Sequence, residues 1–405
     1  MTPASTSGAV PSANVTINVA ASASITSADR AGIQIDSTKG TGTGTVDTAG
    51  TITAGTAGVL AQTNVGALRV TNSGSITAPF GILGESVTTT LTNTGTIKAG
   101  VGMAAQAGVA TISNAGTVTF GTAGLAAVTS GGVLTNTGTL TYDGSIADPF
   151  AANVLDGLPT LARSINLALT QVTQGSGPTP TGMAGLSQGD LTVSNSGTIT
   201  GGAIGIAALA QGALSLQNTG TITSGGTGVA AQAGVAAGEG TSARAGTLTF
   251  SNSGAISAAG GPAALLRTYG GSLTVANSGT LGGLVGLNAA EVQGAAGSAL
   301  TISNATGGSI VGTSGLAIDT SASSIASRID NRGTITGAVN LSAGSSVANS
   351  GQFNATGTSG FGGGVFNNLG TLSVVPGATR AANVTLGGLS EFRNAGTISL
   401  VNGRA

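Results

Sequence analysis

Hydrophobic and polar positions along the chain recur as one seven-residue phrase. It runs apolar, any, Asn, any, Gly, Thr or Ser, apolar, as in Val70-Thr71-Asn72-Ser73-Gly74-Ser75-Ile76. The phrase returns around Asn93, Asn114, Asn136, Asn195, Asn218, Asn252 and Asn277, then stretched by two residues at Asn304, then at Asn331, Asn349, Asn368 and Asn394. Asp47 reads as a degenerate earlier copy. The position two before each Asn is apolar in every copy, from Val70, Leu91 and Ile112 through to Phe366 and Phe392. The position four after is apolar in all but the stretched copy, where Ile310 is displaced. A second element follows about ten residues later: Gly81-Ile82-Leu83, Gly102-Met103-Ala104, Gly124-Leu125-Ala126, Gly205-Ile206-Ala207 and Gly228-Val229-Ala230.

Alternation with period two turns one face of a strand inward, and a unit of about twenty residues that cannot bury its own face stacks on its neighbours. The pattern therefore predicts an all-β chain: a parallel β-helix of about 14–15 coils, each with three short strands. Parallel crossovers favour the right hand. At about 4.8 Å per coil the rod would be on the order of 70 Å long. Equivalent Asn side chains would stack at that spacing and bond as a ladder. Asn and Gly are expected here as turn formers, because both enter the left-handed backbone region. Residues 1–13 read as a tail and 14–405 as one β-helix.

The interval from Asn136 to Asn195 is far longer than a coil. It carries Tyr142, Phe150, Leu158, Leu161, Ile165, Leu169 and Val172, and the spacing from Leu158 onward is helical. With Pro159 suited to a first turn and Gly175 beyond the end, the expectation is an insertion over 141–190 holding a helix at about 159–173. Two roles stay open. The insertion either caps apolar surface on the rod or serves as a recognition element built on Tyr142, Phe150, Leu158, Leu161 and Ile165. A shorter excursion at 234–246 reads as a flexible loop.

Composition narrows the chemistry. Of 405 residues 72 are Gly, 6% are charged, the net charge is −1, and there is neither Cys nor His. That removes disulfides, thiolate catalysis and the commonest general base and metal ligand. Scattered Lys and Arg offer no footprint for nucleic acid. No apolar run is long enough for a membrane-spanning helix. Met1-Thr2-Pro3-Ala4-Ser5 lacks a signal's basic and apolar regions, so the expectation is either a cytosolic chain or one whose signal has been removed. The carboxylates do not recur at one coil position; Asp143, Asp148, Asp156 and Asp190 lie near the insertion. No cofactor, metal or catalytic residue is assigned.

The coils Asn93-Thr94-Gly95-Thr96-Ile97 and Asn195-Ser196-Gly197-Thr198-Ile199 resemble those of bacterial autotransporter passenger domains, the type V secretion family. Residues 394–403 look like the last coils before that family's translocator barrel. The resemblance spans residues 46 to 403. It implies display at the cell surface, or release outside it, by a Gram-negative bacterium, with an outer-membrane barrel in the full-length protein. Lacking a signal and a barrel, the chain looks like an excised passenger. The expected function is a non-enzymatic adhesin or stalk meeting a host or neighbouring cell surface, matrix or glycan. Two alternatives stand beside it: a self-associating protein that forms aggregates or fibres, and a polysaccharide-active enzyme on a β-helix.

Overall fold

The computed structural model describes residues 14–37, 41–150, 165–167, 169–171, 179–235, 243–374 and 384–400. They form a parallel β-solenoid of about fifteen turns. One coil shows the plan. Leu191–Asn195, Thr198–Thr200 and Ile204–Ala210 make three strands, and each pairs in parallel with its counterpart in the next coil, Leu214–Asn218, Thr221–Ser224 and Thr227–Ala233. The same pairing carries from Val15–Val19 at one end to Thr397–Leu400 at the other. Three sheets result: the first ends its strands on Asn from Asn72 onward, the second holds the Thr-apolar-Thr triplets, and the third holds the Gly-apolar-Ala triplets.

Each sheet sends apolar side chains into the bore in stacked columns, and from Leu191 to Leu300 the first sheet adds a second column of leucines. Val70, Leu91, Ile112 and Leu134 stack in the first sheet, Ile76, Ile97, Val118 and Leu140 in the second, and Ile82, Met103, Leu125 and Met183 in the third. All of these are buried. The bore is narrow because Val, Ile and Leu fill it in single layers. Toward the C-terminal end it takes larger side chains: Phe366 meets Phe353 at 5.8 Å, Phe361 at 5.4 Å and Phe392 at 5.4 Å between ring centres.

The stretched copy keeps register. Leu281 pairs with Ile310 and Ile310 with Ile335, so the two extra residues are accommodated in the turn between Asn304 and Ser309. At the other end the register corrects one expectation. Asp47 pairs with Thr71, whereas Thr48 pairs with Asn72 and holds the ladder position. Asp47 points outward and meets Arg69 at 3.1 Å.

The turn glycines also serve a different purpose from the one expected. The positive-φ glycines, such as Gly201, Gly270 and Gly307, lie elsewhere, and Gly95, Gly116, Gly138 and Gly197 are not among them. What these four require is space. A Cβ on Gly116 would lie 2.0 Å from the Gly95 carbonyl oxygen, and one on Gly138 would lie 2.1 Å from that of Gly116. The turns stack so closely that backbone occupies the volume a side chain would need.

The insertion is shorter than 141–190. Thr139–Tyr142 still belongs to the second sheet, pairing with Thr117–Phe120 and with Thr198–Thr200. Thr181–Ser187 is already back in the third sheet, paired with 123–129. The excursion therefore covers 143–180. Of the expected helix, 165–167 and 169–171 are helical, while Leu158, Leu161 and Val172 lie outside the described residues. Within the shorter excursion at 234–246, Val235 and Arg244 exchange backbone bonds of 2.9 and 3.1 Å as an antiparallel bridge. Arg244 also donates to the Gln188 carbonyl at 3.0 Å and to Gln211 at 3.1 Å, which ties the loop's base to the rod.

Candidate functional site

The asparagines of the first sheet form one continuous column. Each carboxamide Nδ2 donates to Oδ1 of the Asn one coil on: Asn72 to Asn93 at 2.7 Å, Asn93 to Asn114 at 2.8 Å and Asn114 to Asn136 at 2.9 Å. The column continues through Asn195, Asn218, Asn252, Asn277, Asn304, Asn331, Asn349 and Asn368 to Asn394. The 143–180 excursion does not interrupt it, since Asn136 donates to Asn195 at 2.8 Å across 59 residues of chain. Most rungs also donate to the carbonyl of the turn glycine two residues on, as Asn93 does to Gly95 at 3.2 Å. Most of the Asn backbone carbonyls take two N–H groups from the next turn; Asn72 accepts from Thr94 at 2.8 Å and Gly95 at 3.2 Å.

Chemically the column is self-contained. The carboxamides from Asn72 to Asn368 are buried, and their donors and acceptors are spent on one another and on the turns. All donate in the same direction, so the dipoles align along the rod and each bond polarises the next. Replacing both Asn93 and Asn114 by Ala removes three rungs and leaves Asn72 and Asn136 short of a partner. At about 1–3 kcal/mol for each buried group left unmet, the double variant is expected to lose roughly 3–5 kcal/mol, read as a lower denaturation midpoint. An unchanged midpoint would mean that glycine packing and backbone bonds hold the turns alone.

The insertion residues lie against the rod. Ile165 and Leu169 are buried over an apolar patch on the outer face of the third sheet, formed by Leu60, Phe80, Leu83, Val101, Ala104 and Ala126. That face is apolar because it carries Leu and Ala where the second sheet carries Thr. Phe150 sits edge-on to Phe80 at 5.5 Å, whereas Tyr142 belongs to the second sheet and is tilted against its strand partner Phe120 at 6.0 Å. On this side, Leu167 is the large apolar residue that faces solvent, 61% exposed. Excising residues 145–178 and joining Gly144 to Thr179 is expected to leave the rod folded, lower the helical signal in circular dichroism and raise the fluorescence of a hydrophobic dye. Unchanged dye binding would show that the patch is covered by something else.

The described carboxylates near the insertion are engaged in hydrogen bonds, Asp143 within its own turn and Asp148 and Asp190 also across coils. Asp143 accepts from the Ser145 N–H at 2.9 Å and its hydroxyl at 2.6 Å, which hold its carboxyl below the usual carboxylate range. Asp148 accepts from the Thr122 hydroxyl at 2.9 Å and the Phe150 N–H at 3.1 Å, and Asp190 from the Ala213 N–H at 2.8 Å. Asp156 lies outside the described residues. Among the described residues no three Asp or Glu side chains gather closely enough to hold a metal ion.

Two surface features stand apart from these. The second sheet presents paired hydroxyls in successive coils: Thr117 and Thr119, Thr139 and Thr141, Thr198 and Thr200, Thr221 and Thr223. The third sheet carries a polar run at one register position, Gln62, Glu85 and Gln106, which continues as Val128 and Leu186. From Glu85 to Leu186 the run lines a groove of about 470 Å³. A reading tuned to the Asn phrase passes over this run, although the repeated offset of three residues from Ile82 to Glu85 and Met103 to Gln106 is visible in the sequence. No family model, curated protein or solved structure matches the chain.

Proposed function

We propose that the chain is a non-enzymatic, surface-displayed stalk or adhesin of the autotransporter passenger type, presenting a rigid rod to another cell, matrix or glycan outside a Gram-negative cell. The observation that carries this reading is the unbroken run of asparagine bonds from Asn72 to Asn394, kept even where the 143–180 excursion leaves and rejoins the coils. A chain that spends its most regular polar chemistry on axial rigidity suits a spacer that holds a surface away from its anchor, and a rigid scaffold suits loops that bind. The Asn-x-Gly-Thr-Ile resemblance supplies the secretion route, including the outer-membrane barrel of the full-length protein. The test is adhesion: beads coated with the chain are expected to bind cells or matrix above beads coated with an inert protein, and equal binding would contradict the proposal.

One observation favours a second reading, self-association. The hydroxyls of Thr139, Thr198 and Thr221 repeat at the coil spacing on a flat sheet, a geometry that a second copy can match. Sedimentation separates the two readings, since self-association gives mass that rises with concentration while a stalk stays monomeric.

A further inference from the structure

We propose that the groove on the third sheet binds an extended peptide segment of a partner protein, placing a basic side chain over Glu85 and an aliphatic one over Leu186. This inference rests on the reading of the rod as a surface for another cell or matrix, and it names the partner's chemistry and its place.

The groove changes character along its length. At one end Glu85 accepts from the Gln62 side chain at 2.6 Å through one oxygen, and none of the Lys or Arg ion pairs among the described residues includes it. One coil on, the Gln106 side-chain oxygen is buried with no hydrogen-bond partner. The Glu85 carboxylate, which no Lys or Arg pairs among the described residues, is the group that calls for a positively charged N–H donor. The next two coils put Val128 and Leu186 at the same position, so the other end is aliphatic.

The wall is preorganised. Thr63 donates to the Ser86 hydroxyl at 2.8 Å, and Thr129 donates to the Gly131 carbonyl at 2.6 Å, so these buried hydroxyls are held before any ligand arrives. Among the described residues no aromatic ring lines the groove, so none of them offers a stacking platform for a sugar ring, which favours peptide over glycan. Spacing supports the same choice. From Glu85 to Leu186 is three coil steps, about 14 Å, and an extended peptide covers about 13 Å in four residues with side chains i and i+4 on one side.

The test uses the whole chain and two capped peptides, Arg-Ser-Ser-Ser-Leu and Glu-Ser-Ser-Ser-Leu, with binding followed by fluorescence polarisation. The arginine peptide is expected to bind saturably and the glutamate peptide not at all. Glu85→Gln should weaken binding about tenfold, the loss of one charge-assisted bond, and remove its salt sensitivity. Leu186→Thr, which keeps a strand-forming residue, should weaken it without changing the circular dichroism. The proposal is overturned if the two peptides bind alike, if the arginine peptide does not saturate, or if Glu85→Gln binds as tightly as the parent. Bead adhesion separates the two readings. Peptide binding without adhesion leaves the groove standing and removes the adhesin, while adhesion that Glu85→Gln leaves intact, with no peptide bound, removes the groove alone.

Discussion

Leu91→Asp is expected to be the most damaging single substitution in the rod, destabilising it by about 5 kcal/mol or more. Leu91 is fully buried between Val70 and Ile112 in a column one side chain wide. Truncation alone would open a cavity worth about 2–5 kcal/mol. The aspartate adds a carboxylate with no donor within the aliphatic bore, where it must either stay charged without a partner or take up a proton. Because each coil touches only its neighbours, damage should begin near coil 75–93 and spread along the stack rather than stay confined to one side chain. Protease digestion followed by mass spectrometry is expected to show first cuts there. Digestion and circular dichroism identical to the parent would place position 91 on the outside and reverse the inside-outside assignment.

Gly116→Ala is the second large effect, and its cause is geometric. The added methyl would meet the Gly95 carbonyl oxygen at 2.0 Å and the Asn93 carboxamide nitrogen at 2.9 Å. Relief requires the turns to part by about an ångström, which stretches the 2.9 Å Thr117 N–H bond to Gly95 and the rung from Asn93 to Asn114. Overpacking of this kind typically costs about 1–3 kcal/mol, with more for the bonds it opens. Gly131→Ala is the control. A Cβ there meets nothing closer than the Asp190 carbonyl oxygen at 3.9 Å, so its effect should stay within about 0.5 kcal/mol. If both variants melt alike, the glycine column is not held by close approach.

These two positions show what the sequence makes legible. Leu91 could be placed from pattern alone, because every coil repeats the same inward choice and the copies reinforce one another. The reason for Gly116 could not, because glycine serves both a left-handed turn and a crowded backbone and only coordinates separate the two. Thr48 was hidden for a related reason: Asp47 resembles Asn in chemistry, yet pairing with Thr71 and Asn72 sets the register. The insertion's helical spacing is readable from Leu158 to Val172, but its limits depend on strand pairing at Tyr142 and Thr181 that no local pattern announces. The groove was obscured because Glu85 and Gln106, taken singly, look like ordinary surface residues. Their meaning lies in sharing a register position with Leu186.

The central claim is that the chain re-enters the same stack in register after the excursion, and a designed disulfide tests it directly because the chain has no cysteine of its own. Thr139 and Thr198 are parallel partners on the second sheet, 59 residues apart in sequence. Their backbones should lie about 4.8 Å apart, within the span of about 4.4–6.8 Å that a disulfide bridges. Moving one end by two residues, from Thr198 to Thr200, takes the separation to roughly 8 Å, beyond that span. The Thr139→Cys/Thr198→Cys variant is expected to oxidise to an intramolecular bridge in the folded chain, while Thr139→Cys/Thr200→Cys stays reduced. Bridging of the second pair in preference to the first would contradict the register on which the ladder, the core and the rod depend.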